Sequence, residues 1–93
     1  MILIWSPTAR AHLRHAEAFI AEDNPRAAAK TAERIIDAVE QLIDFPASGR
    51  PGRLPHTREL VVAGTPYFLP YRVKGDAIEI LGVIHGARKW PEG

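Results

Sequence analysis

The side chains best equipped for chemistry are basic and aromatic, and most of them lie in the second half of the chain. Metal-free phosphodiester cleavage uses a general base, a general acid and cations to stabilise a phosphorane, and His85 with Arg58, Arg72 and Arg88 are the candidates for part of that set. A histidine at a strand end also reads as a hydrogen-bonded structural residue. Arg88-Lys89-Trp90, close to the C-terminus, is the composition of a contact hot spot, since arginine and aromatic side chains bury much surface at low entropic cost. Trp90 is either folded back on the domain or left exposed as an anchor. Arg50 and Arg53 flank Pro51-Gly52, either as turn arginines bonding nearby carbonyls or as contacts to an acidic partner. His12 and His15, with Glu17 nearby, do not converge on one face as the three or four ligands of a metal ion must. The sequence contains no GxxxxGK[ST], GxGxxG or HExxH motif, so nucleotide-loop and zinc-hydrolase chemistry have no support.

These residues must be positioned by a small set of elements. Met1 to Trp5 reads as a buried strand. Ser6-Pro7 opens a helix, with Ser6 as N-cap and Pro7 at the first helical position, and the helix runs to about Ala21. Ala9, Leu13, Ala16 and Ile20 mark its apolar face. Asn24-Pro25 repeats the cap signal for a second helix from Pro25 to Asp44. Its buried face holds Ala28, Ala32, Ile35, Val39 and Leu42, widened by Ile36 and Ile43. The short joint makes the two an antiparallel hairpin. Residues 47–55, dense in glycine, proline and arginine, are irregular.

Strands are expected over Arg58 to Val62, Tyr67 to Val73 and Ala77 to His85, with a tight turn at Lys74-Gly75-Asp76. Ile78, Ile80 and Ile84 are placed on one side of the last strand, and Glu79, Leu81 and Val83 on the other. Pro70 cannot donate to a ladder and marks an edge, a bulge or a gap in pairing. The order β-α-α-β-β-β gives an α+β domain of two layers, a helical hairpin on a mainly antiparallel four-stranded sheet.

At 93 residues the chain makes one domain, 1–93, with ordinary apolar and charged fractions of 46% and 25%. No apolar run approaches the roughly 20 residues that span a bilayer. Residues 1–5 lack the features of a signal peptide, and there is no cysteine, which fits a cytoplasmic protein. Residues 1–47 carry five basic and seven acidic side chains; residues 48–93 carry seven basic and four acidic. An acidic partner for the second half is one reading of that split, and chance is the other.

Several segments together resemble the ParE/RelE toxin superfamily, and ParE-type toxins in particular. Phe45-Pro46 followed by Gly49-Arg50-Pro51-Gly52-Arg53 is similar to the loop after that family's helical hairpin. Thr57-Arg58-Glu59-Leu60-Val61-Val62 and Tyr71-Arg72-Val73 resemble its next two strands. Ile80-Leu81-Gly82-Val83-Ile84-His85-Gly86-Ala87-Arg88-Lys89-Trp90-Pro91 resembles its last strand and tail, and Asn24-Pro25 its helix junction. The resemblance implies the toxin of a type II toxin–antitoxin pair that inhibits DNA gyrase by protein–protein contact and is neutralised by a ParD-like antitoxin. It implies no cofactor, no metal, no membrane and no sequence-specific DNA binding by this chain alone. The alternative is a RelE-like ribosome-dependent mRNA endonuclease using His85, Arg72 and Arg88. The sequence departs from that pattern, because the tail after His85 has no tyrosine and both tyrosines, Tyr67 and Tyr71, lie on the third expected strand.

Target contacts are therefore expected at Arg88, Lys89, Trp90, Arg50 and Arg53. Arg58-Glu59 reads as a structural pair or an antitoxin contact, and Arg72 as a partner for an antitoxin carboxylate. Two helices cover one face of the sheet, so Val61, Leu69, Leu81 and Val83 are expected to line the other face or its edge. Such a surface suits a partner strand or amphipathic helix.

Overall fold

Both helices begin on a polar side chain followed by proline. In the computed structural model, which describes residues 1–91, Ser6 Oγ accepts from the Ala9 amide at 3.0 Å and caps α1 (Pro7–Asp23). Asn24 Oδ1 accepts from the Ala27 amide at 3.1 Å and caps α2 (Pro25–Asp44). Asn24 also closes α1, its N–H donating to Ile20 O at 2.9 Å. A single extended residue thus ends one helix and starts the next. Asn24→Ala should lower stability by about 1 kcal/mol, the usual worth of an N-cap. Urea unfolding reads this as a lower midpoint with an unchanged slope.

Ala9, Ala16, Ala28, Ala32, Ile35, Val39 and Leu42 are buried, and Leu13 and Ile20 pack against the same core. Ile36 and Ile43, expected to widen the buried face of α2, remain 42% and 41% exposed.

The sheet has six strands where four were expected. They are β1 (Ile2–Trp5), β2 (Arg50–Pro51), β3 (Arg58–Val61), β4 (Tyr67–Lys74), β5 (Ala77–Ile80) and β6 (Ile84–His85). The order is β1-β5-β4-β3-β2, with β6 also on β4, and only the β1–β5 pair is parallel. The stretch expected to be irregular therefore contributes the two-residue edge strand β2.

The expected single strand 77–85 is broken, and Pro70 explains where. Leu81 N–H donates to Pro70 O at 2.8 Å. The missing N–H of Pro70 faces the same side, so the ladder lapses there. It resumes with Phe68 opposite Ile84 and Tyr67 opposite His85. Three residues, 81–83, now face two, 69–70, a bulge. The extra residue reverses the alternation. Ile84 stands on the side of Phe68, away from Ile78 and Ile80, and His85 stands on the side of Tyr67. Among the described residues no helix is long and apolar enough to cross a membrane.

Candidate functional site

The bulge decides where His85 points. Tyr67 belongs to the core beneath the helices, and His85 meets its ring edge-on at 5.5 Å between centroids. The chain then turns, with Gly86 N–H on Pro66 O at 2.7 Å and Arg88 N–H on His85 O at 2.9 Å. His85 Nδ1 accepts from the Ala87 amide at 3.1 Å. Across from this turn lies α1. His12 Nδ1 accepts from Val83 N–H at 3.2 Å, stitching the helix to the bulge. Gly82 permits the approach, since a Cβ there would sit 3.1 Å from that nitrogen. Helix and turn enclose a groove of about 620 Å³ whose walls include His12, His15 and Phe19 from α1, and Tyr67, His85, Arg88 and Lys89.

The endonuclease alternative would need His85, Arg72 and Arg88 on a common surface. The structure separates them. Arg72 lies opposite Glu79 and binds it, Nε to Oε1 at 2.6 Å, on the sheet face away from the helices, whereas His85 and Arg88 border the groove beside α1. His12, His15 and Phe19 were not foreseen as neighbours of His85. Their spacing of three and four residues does place them along one strip of α1, a signal present in the sequence.

Arg50 and Arg53, expected at a target contact, are held from within the chain. Glu59 is 2% exposed, the buried acid of the sheet. Arg50 donates to its Oε1 from Nε at 3.3 Å and from Nη2 at 3.1 Å. The Arg53 amide donates to Oε2 at 3.1 Å, with its Nε 3.7 Å from the same oxygen. Both guanidinium groups also lie over the Phe68 ring, 5.6 and 5.1 Å from its centre. Arg53 Nη1 reaches Trp90 O at 3.3 Å and ties down the tail. Trp90 is folded back and half-buried, its indole Nε1 buried without an acceptor among the described residues. Arg58 does not pair with Glu59; its Nη1 donates to Gly49 O at 2.8 Å.

The expected antitoxin face needs the largest correction. Leu69 is fully buried and Val83 is 5% exposed, both within the core under the helices. Leu81 is half-buried at the bulge. Both sets of alternating residues in these strands are apolar, so alternation could not say which set meets the helices. On the far face, Ile2, Ile4 and Val61 are 58%, 43% and 57% exposed.

The helical hairpin on a mixed sheet with a basic C-terminal turn, taken with the likenesses that follow, places the chain among the small toxins of type II toxin–antitoxin pairs. Residues 3–90 match the family of ParE toxins of the type II toxin–antitoxin system parDE, and the chain belongs to that family. Y4kP of Sinorhizobium fredii, a protein named as a toxin, is 48% identical over 88 residues, covering 95% of this chain and 91% of the relative. Toxin RelE2 of Caulobacter vibrioides is 33% identical over 86 residues, 92% and 96% of the two chains. A solved chain from the chromosomal ParDE system of P. aeruginosa superposes with a TM-score of 0.81 at 31% identity, covering 91% of this chain and 95% of that one.

Proposed function

We propose that this toxin inhibits DNA gyrase by binding to it, in the cytoplasm, without bond chemistry of its own, and that a ParD-like antitoxin keeps it silent. Family membership supports the reading. The observation that carries it is the state of the polar groups a nuclease would use. His85 spends its Nδ1 lone pair on the Ala87 amide, so a neutral ring carries its proton on Nε2 and offers no base on that side. Tyr71 is fully buried, its hydroxyl bound to Pro46 and Gly49. Arg72, the cation proposed to act beside His85, is across the sheet.

What remains at the surface suits adhesion. Arg88 and Lys89 are exposed at the rim of the groove, and Phe19, 73% exposed, stands in its wall. The antitoxin is proposed to cover the far face, where Arg72, Ile2, Ile4 and Val61 are exposed and β1 is an edge strand.

Purified toxin should abolish gyrase supercoiling and cause cleaved DNA to accumulate. Arg88→Ser with Lys89→Ser should raise the concentration for half-inhibition by about tenfold or more, as for loss of contact hot spots, with unchanged melting. Intact supercoiling at large molar excess of the unaltered chain rejects the reading. Cuts within codons in a translating extract would favour the RelE-like endonuclease instead.

A further inference from the structure

We propose that the groove between α1 and the turn after β6 binds a nucleotide, a ligand joining a phosphate to a flat ring. At about 620 Å³ the cavity falls within the range of small-ligand sites. Its chemistry is one-sided. Among the described residues lining it there is no carboxylate, while Arg88 and Lys89 bring two permanent cations. His85 adds a donor: with Nδ1 already accepting from the Ala87 amide, the proton of its neutral ring sits on Nε2. Cations and donors without a facing anion call for an acceptor-rich, negatively charged ligand. Arginine in particular matches phosphate oxygens in a two-pronged bond.

The rest of the lining is apolar. Phe19 presents an aromatic face to solvent at 73% exposure, and Ala11, Ala16 and Val83 extend the wall. A bare phosphate would leave that wall wet, whereas a base stacked on Phe19 covers it. The cations stand on the tail and the aromatic ring on α1, so one ligand spanning the groove meets both. The site shares Arg88, Lys89 and Phe19 with the surface proposed to meet gyrase, but it does not rest on that reading and is tested without gyrase.

The experiment is a titration of the purified chain with AMP, inorganic phosphate and adenosine, followed by backbone amide NMR. Saturable shifts at His15, Ala87, Arg88 and Lys89 are expected with AMP. Arg88→Ser should weaken AMP about tenfold or more, the worth of a charge-assisted bond. Phe19→Ala should weaken AMP and leave phosphate binding unchanged. Both side chains are exposed, so the fold is expected to survive, and the unperturbed spectrum away from the groove verifies it. A 5′-phosphorylated trinucleotide binding more tightly than AMP assigns the ligand to a strand end, and equal or weaker binding assigns it to a free nucleotide. Absence of saturable shifts, adenosine binding as tightly as AMP, or AMP binding indifferent to Arg88→Ser overturns the proposal.

Discussion

Arg50→Ala combined with Arg53→Ala should lower the unfolding free energy by about 3–5 kcal/mol, the cost of leaving a buried charge without its partners. The arginine side chains are themselves about half exposed, at 51% and 47%. A pair of that exposure between two surface residues would contribute about 1 kcal/mol or less. The difference lies with Glu59, whose side chain is only 2% exposed. Without the two guanidinium groups it retains the Arg53 amide at 3.1 Å and little else. The double variant also uncovers Phe68, now 4% exposed beneath the two cations, and releases Trp90 O. Adding Glu59→Gln to the double variant removes the stranded charge and should recover roughly half of the loss, a coupling that a mutant cycle isolates. Urea unfolding followed by circular dichroism supplies the numbers. A loss below about 1 kcal/mol would mean that the carboxylate finds water easily and that the cluster is ordinary surface.

The helical half of the fold was legible because its signals are local. Ser6-Pro7 and Asn24-Pro25 are caps that act within three residues, and α2 keeps both of its expected ends. The sheet half depends on pairings distant in sequence. Pro70 did announce a gap in the ladder, but nothing local tells how many residues the opposite strand inserts there. That single insertion sends His85 toward α1 and Ile84 to the far side. The Arg50–Glu59–Arg53 cluster was hidden for a related reason. Carboxylates are seldom fully buried unless paired, and the partners of Glu59 come from a segment with the composition of a loop. Arg88-Lys89-Trp90 looked like one cluster, yet the chain divides it: Arg88 and Lys89 line the groove, while the Trp90 carbonyl is held by Arg53. A candidate site made of a strand end and a helix strip could be named residue by residue, but its assembly required the bulge.

Tyr71→Phe should cost about 1–3 kcal/mol, because a buried amide loses its acceptor and a part-buried carbonyl loses its donor together. The Tyr71 ring is fully buried. Its hydroxyl donates to Pro46 O at 2.8 Å and accepts from Gly49 N–H at 2.9 Å, closing the turn that follows α2. Phenylalanine keeps the ring packing and leaves the buried Gly49 amide unpaired. In sequence the two residues are interchangeable, since either satisfies the apolar pattern of β4. Gly49 belongs to the same contact, for a Cβ there would lie 2.7 Å from the Tyr71 ring and 2.8 Å from its oxygen. Gly49→Ala therefore attacks the same bond from the other side. Its effect and that of Tyr71→Phe should combine to less than their sum. The turn delivers Arg50 to Glu59, so its loosening also weakens the far-face cluster, and hydrogen exchange at Gly49 should accelerate before global unfolding. Full additivity of the two substitutions, or unchanged exchange at Gly49 in Tyr71→Phe, would show that the hydroxyl does not hold this turn.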